Sequence, residues 1–197
     1  KITNLTLTID GVHKRGGEFI ESELQKSVDT IHQNMGAVKE AIRLANDKKS
    51  WLFFCVGVDH AYNIRNELRE NGISAETITG KTPKKEREKI IDDFKAGRIT
   101  ALTNANVLTT GFDYPNLDAI IMLRPTMSPS LYVQMAGRGM RPKSHTDHCM
   151  VLDFAGVVRT HGPITAVDPG RKAGTGEAPM KVCDNCNEIV HLSVKIC

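Results

Sequence analysis

The stretch Trp51–Val56, WLFFCV, is an unbroken run of apolar residues. A strand with one wet face alternates polar and apolar residues. A short continuous run marks a strand buried on both faces, as in a parallel sheet covered by helices. A rhythm follows it. Asp59–Asn71 reads as a helix with Asp59 as N-cap and Gly72 just past its end. Ala75–Thr79 reads as a strand, and Pro83–Lys95 as a charged amphipathic helix with Pro83 in its first turn and Gly97 after it. Ile99–Thr103 and Asp118–Leu123 read as strands, Ser128–Ala136 as a helix, and Cys149–Phe154 as the closing strand. Strands alternating with helices predict an α/β fold, a parallel sheet flanked by helices. In such folds ligands gather at the carboxyl ends of the strands, so the loops there carry the chemistry.

Upstream, Lys1–Asp10 alternates and predicts a strand. Glu18–Met35 and Gly36–Asn46 carry helical spacing, with Ile20, Leu24, Val28 and Ile31 on one face. After about Gly156 the composition changes, and Val167–Met180 is rich in Gly, Pro and Ala, as a linker is. The chain opens without a methionine, which suggests a piece of something longer. The longest apolar runs, such as Trp51–Val56 and Ala119–Leu123, are too short to span a bilayer. The net charge of +3, from 26 basic and 23 acidic residues, neither announces nor excludes a nucleic-acid partner, because a local basic cleft outweighs the sum.

Three loops stand out. The first is Tyr132–Pro142, YVQMAGRGMRP. Residues three and four apart share a helix face, so Gln134, Arg138 and Arg141 point the same way if the helix runs that far. A guanidinium is a planar fork of donors that stays charged and suits phosphate oxygens. Two arginines alone read as solvated surface cations, or as one arginine tied to a local carboxylate. The spacing Q-x-x-G-R-x-x-R after a strand and helix of an α/β sheet reverses that preference. The second loop, Thr103–Asp113, holds Thr109, Thr110 and Gly111, a small turn able to approach a phosphate or sugar, and Asp113, able to accept from ribose hydroxyls. The third, Thr79–Thr82 (TGKT), imitates the end of a P-loop, but Ala75 stands where the first glycine is needed, so Lys81 is no Walker lysine. The chain thus holds cations fit for a phosphoryl-transfer transition state and no cradle for the triphosphate, as an arginine finger reaching into a site built elsewhere would.

The segments WLFFCVGVDHA (51–61), TGKTPKKERE (79–88), TNANVLTTGFDYP (103–115) and QMAGRGMR (134–141) resemble, in order, motif IV, the segment after it, motif V and motif VI of the second RecA-like domain of superfamily 2 helicases and translocases. The run VLTTGFDYPNLDAIIMLRPTMSPSLYVQMAGRGMRP is most similar to the DExH-type bacterial RadD DNA-repair helicases. Gln134 stands where DEAD-box RNA helicases usually have histidine. Restriction-enzyme translocating subunits share the pattern as competitors, and a nucleic-acid-binding module without a motor is a second class of reading.

The resemblance implies a RecA-like sheet and a set of roles. Arg138 and Arg141 would contact the γ-phosphate of ATP, with Arg141 the better finger. Gln134 would couple that contact to the nucleic acid. Gly111 and Asp113 would meet the ribose, and Gly57, Thr79, Gly80 and Thr103 the phosphates of a DNA strand, RNA also being possible. ATP with magnesium would bind jointly with an N-terminal RecA-like domain, and this fragment alone would not hydrolyse it. The implied organisation is a connector over 1–46, the RecA-like domain over 47–158, a linker over 159–181 and the start of a zinc-binding region over 182–197, in a cytoplasmic protein with no membrane partner.

Cys183 and Cys186 form C-x-x-C, half a zinc site, and Cys197 ends the chain. A four-cysteine ribbon, with its fourth ligand beyond the chain's end, and a set that includes His191 both complete it; the resemblance favours the ribbon. Cys55 and Cys149 lie in apolar runs and read as buried small hydrophobes.

Overall fold

The computed structural model describes residues 3–107, 112–146, 148–167, 179–185 and 189–196. A small hairpin, β1 (Lys14–Arg15) and β2 (Glu18–Phe19), precedes the helices α1 (Glu21–Val28) and α2 (Ile31–Leu44). Then come β3 (Trp51–Phe54), α3 (Val58–Glu70), β4 (Ala75–Ile78), α4 (Lys84–Lys95), β5 (Ala101–Asn104) and β6 (Ala119–Met122). The domain closes with α5 (Pro129–Gly137), β7 (Met150–Asp153) and α6 (Val157–His161). A second hairpin, β8 (Met180–Val182) with β9 (Ile189–His191), lies in the tail.

The strand order is β4-β5-β3-β6-β7, every pairing parallel. The period-2 alternation of strands sends Trp51 and Phe53 of β3 to one face and Leu52 and Phe54 to the other. The first pair joins a core with Leu24 and Val28 of α1, Ala37 and Ala41 of α2 and Ile64 and Leu68 of α3. The second joins Ile90 and Phe94 of α4 and Tyr132 and Met135 of α5. Both faces are therefore covered, which is why β3 tolerates no polar residue. The chain leaves β3 for β4 on one side and later crosses to β6 on the other, so order reverses at β3. The crevice at the carboxyl ends of β5, β3 and β6 is the place such a sheet offers a ligand.

Several expectations shift. Residues 3–9 form no strand; Leu7 makes one backbone bond to Phe154, 2.7 Å, along the edge of the sheet. The upstream helical stretch breaks at Asp29, not at Gly36, because the Thr30 hydroxyl accepts from the Gln33 N–H and starts α2 afresh. Gly57, not Asp59, is the N-cap of α3; Asp59 sits in the first turn, where a carboxylate suits the helix dipole. The helices over 21–44 pack into the first core. At the other end Val158, Ile164 and Val167 pack on the second core, and His161 stacks on Tyr132 at 5.6 Å, so ordered packing runs past residue 158. Most of the expected linker, 168–178, lies outside the described residues.

Candidate functional site

Helix α5 starts because the Ser128 hydroxyl accepts from the Leu131 N–H at 3.2 Å and Pro129 fills the first turn, where a missing N–H is harmless. It buries Tyr132, Met135 and Ala136. Gln134 faces outward and its amide donates to the Ser130 hydroxyl at 3.3 Å. The helix stops at Gly137. The N–H groups of Arg138, Gly139 and Met140 then bond carbonyls three residues back at 3.4, 3.0 and 3.3 Å, the spacing of a 3₁₀ turn. The helix does not run to Arg141, so the single face expected for Gln134, Arg138 and Arg141 is not built. The tightened turn instead aims both arginines at one short segment. Arg138 Nη1 donates to the Phe112 carbonyl at 2.7 Å, and Arg141 forms an ion pair with Asp113. Burial lowers the pKa of Arg138 from the ordinary arginine value; a guanidinium stays charged at neutral pH even so.

That segment is held from below. Phe112 and Tyr114 both meet the Phe94 ring of α4, with centroids 6.2 and 5.4 Å away. Asp113 between them is left exposed. Gly139 lets the arginine turn press against Cys149, the residue before β7: a Cβ there would fall 2.5 Å from Cys149 Sγ and 2.8 Å from its Cβ. Thr109, Thr110 and Gly111 lie outside the described residues.

The four expected strand contacts part company. Gly80 is exposed at the tip of a turn, with open space where a Cβ would be. Thr79 is buried, its hydroxyl accepting from the Lys81 N–H at 3.2 Å, while Arg87 donates to the carbonyls of Thr79 and Thr82, both 3.3 Å. Gly57 is buried under Gln25 of α1; a Cβ there would lie 1.7 Å from Gln25 Oε1. Thr103 departs most from its expected role. It has no exposed surface, and its hydroxyl donates to the Ala61 carbonyl at 2.9 Å and meets the Thr77 hydroxyl at 2.8 Å. Its place in the strand spends that hydroxyl inside the sheet.

The motif reading passed over a second polar cluster. Arg124, just past β6, donates to the Val56 carbonyl at 3.3 Å and to Asn106, and pairs with Glu21 at 3.3 Å. Asn106 has φ 60°, the left-handed region that non-glycine residues seldom enter. Glu18 accepts from the Thr126 hydroxyl at 2.5 Å and the Met127 N–H at 2.9 Å. The available signal was Arg124 itself, a cation at the carboxyl end of an apolar strand.

In the tail, Cys183 directly follows β8. Cys186 and Cys197 lie outside the described residues. Among the described residues no group of three or more His, Cys, Asp or Glu side chains is placed to hold a metal ion. Cys55 is buried as expected of a small hydrophobe, whereas Cys149 is half-buried against the second core; burial still pushes its thiol up to about 11. No described helix is long and apolar enough to cross a membrane.

A parallel sheet of this order, with paired arginines after α5 resting on the loop after β5, matches a known domain. The profile of the helicase conserved C-terminal domain covers residues 18–143. The chain belongs to that family. It is 34% identical over 160 residues to the candidate ATP-dependent helicase IRC3 of Saccharomyces cerevisiae, covering 79% of this chain and 23% of that protein. It is also 34% identical to irc3 of Schizosaccharomyces pombe, a candidate helicase named as mitochondrial, covering 81% of this chain and 26% of the relative. The chain thus spans about a quarter of the length of these relatives. This helicase C-terminal domain also superposes on the Escherichia coli DEAD-box protein SrmB, with a TM-score of 0.54 at 18% identity, covering 62% of this chain and 72% of that one. The C-terminal domain of the DEAD-box protein Dbp5 superposes with a TM-score of 0.50 at 22% identity, covering 59% and 67%. The RecA-like fold is thereby shown for the sheet and its helices.

Proposed function

We propose that this helicase C-terminal domain is one half of an ATP-driven DNA motor of the RadD type. ATP and its magnesium would bind between it and an N-terminal RecA-like domain of the full-length protein. What supports the reading is that Arg138 and Arg141 converge on residues 112 and 113 of motif V. The Arg141–Asp113 pair is solvent-exposed, and such pairs contribute only about 0–1 kcal/mol. A triphosphate is a stronger partner for a guanidinium than one solvated carboxylate. Arg141 would therefore leave Asp113 for the γ-phosphate, and Asp113, so released, would accept from ribose hydroxyls beside Gly111. Arg138 would stay on the Phe112 carbonyl and hold the turn in place. Gln134, exposed one turn earlier, would sense the same phosphate. Gly80 would approach the phosphates of the strand, where backbone contacts favour tracking without sequence choice.

For the tail we propose zinc held by Cys183, Cys186 and Cys197 with a fourth ligand. The support is the place of Cys183 directly after β8 of an antiparallel hairpin, together with the C-x-x-C spacing it opens in the sequence, half of a zinc site.

The test is the ATPase rate of the full-length protein with single-stranded DNA, duplex DNA, RNA or none, beside Arg141→Ala. DNA stimulation lost in the variant is expected. Absence of hydrolysis under every condition would overturn the motor.

A further inference from the structure

The cluster around Arg124 lies where the sheet reverses order, at the carboxyl ends of β5, β3 and β6. Its donors come from the chain after β6: the Arg124 guanidinium, the Thr126 hydroxyl and the Met127 N–H. Every one of them meets a carboxylate of one short segment, Glu18–Glu21, that precedes the sheet in sequence. Glu21 takes Arg124 at 3.3 Å and also accepts from Asn106 Nδ2 at 3.4 Å. Glu18 takes Thr126 and Met127, and its remaining contact is the Phe19 N–H at 2.9 Å. Two anions three residues apart, Glu18 in β2 and Glu21 at the start of α1, thus lie along a row of donors, as two phosphates of one strand would.

The two sides of this contact are unequal. The Arg124 side chain is 14% exposed and is anchored from behind by the Val56 carbonyl and Asn106, whereas the Glu21 side chain is 53% exposed. The cation is built in and the carboxylate sits over it. Asn106 keeps a left-handed backbone to reach Arg124, a strain that persists only where the surroundings enforce it. An ion pair half in solvent contributes little net stability. A polyanion able to occupy several donors at once and release its counterions competes well against it.

We propose that Arg124, Thr126 and the Met127 N–H form a phosphodiester-binding subsite for a single nucleic-acid strand, held in this conformation by Glu18 and Glu21 as internal stand-ins. The inference rests on the motor reading for the presence of a strand, and assigns it a contact beyond the motif residues. Strand binding displaces the Glu18 and Glu21 carboxylates from these donors.

The experiment is fluorescence anisotropy with the 197-residue chain and a labelled single-stranded oligonucleotide, as DNA and as RNA of the same sequence, across a salt series. Glu21→Gln removes the competing charge from a half-exposed position and is expected to tighten binding roughly fivefold. Arg124→Gln is expected to weaken binding and to lower the slope of log affinity against log salt by about 0.7, one phosphate contact on a single strand. Excess ATP is expected to leave both effects intact. If the unaltered chain binds and Glu21→Gln does not tighten it, the subsite is overturned and the motor reading stands. If ATP abolishes the gain, the cluster takes nucleotide phosphate instead and the subsite is again overturned. If neither DNA nor RNA binds the unaltered chain or the Glu21→Gln variant, the subsite is overturned, while the motor reading is decided by turnover of the full-length protein. Should Arg124→Gln fail to fold, the Glu21→Gln comparison alone decides.

Discussion

Arg141, in the turn after α5, is ion-paired with Asp113, in the segment after β5, and both side chains face solvent. The two residues expected to hold different parts of one nucleotide instead hold each other. Because the pair is solvated, its loss removes little from the fold. Arg141→Ala is expected to change unfolding free energy by less than about 1 kcal/mol. In the full-length protein the same substitution is expected to lower the ATPase rate by roughly 10³-fold or more, the range of an arginine finger. Urea unfolding of the chain beside turnover of the full-length protein checks both. A large stability loss with turnover unchanged would make the arginine structural.

Gly139 is required by space, not by backbone angle. An added Cβ would meet Cys149 Sγ at 2.5 Å, its Cβ at 2.8 Å and Ile120 Cδ1 at 3.1 Å. Gly139→Ala is expected to destabilise by about 1–3 kcal/mol, as overpacking does. Adding Cys149→Ala removes the nearest atom and should recover part of the loss, read as a positive coupling in a double-mutant cycle.

Thr103 separates packing from ligand contact. Its hydroxyl donates to the Ala61 carbonyl from a site with no exposure. Thr103→Val is expected to cost about 1 kcal/mol or somewhat more, because the Ala61 carbonyl and the Thr77 hydroxyl each lose a partner. Oligonucleotide affinity of the folded variant should be unchanged. A selective loss of affinity with stability intact would return Thr103 to the strand-binding surface.

His60 sets a pH dependence. It has no exposed surface, and its Nδ1 accepts from the Val56 N–H at 3.3 Å. Burial pushes its pKa down from 6.5 to about 4, against the opposing pull of Asp29. Between those values the unfolded chain binds a proton that the folded chain refuses. Stability therefore rises with pH across that window and is lost as pH falls from about 6.5 towards 4. His60→Asn can keep an acceptor for Val56 without the titration. Melting temperatures measured from pH 4 to 7 should show a shallower slope in the variant; an equal slope would place the acid sensitivity elsewhere.

Much of the architecture was legible in the residues themselves. Short continuous apolar runs such as WLFFCV suit strands buried on both faces of a covered sheet, so the five parallel strands of the main sheet and the helices between them followed from local pattern, whereas the strand expected over Lys1–Asp10 and the two small hairpins did not. Ser128, Pro129, Gly72 and Gly97 act within one turn of themselves, and the boundaries they mark stand where their chemistry puts them. Motif order sufficed to bring Arg138, Arg141 and Asp113 to the same end of the sheet.

Contact, as opposed to placement, was decided by tertiary structure. Sequence spacing put Arg138 and Arg141 on a helix face, but the helix unwinds into a tighter turn at Gly137, and their partners come from another loop. Thr103 reads as the last residue of a strand, with a hydroxyl offered to a ligand, yet its place in β5 turns it inward. Glu18 and Glu21 show nothing locally that ties them to Thr126 and Arg124, more than a hundred residues on. The sequence by itself determined which segments become strands and helices and which residues are able to carry charge to a ligand, because those depend on neighbours along the chain. Only the tertiary structure decided which carboxylate each cation meets, because that depends on which distant segments the packed sheet brings to its carboxyl edge.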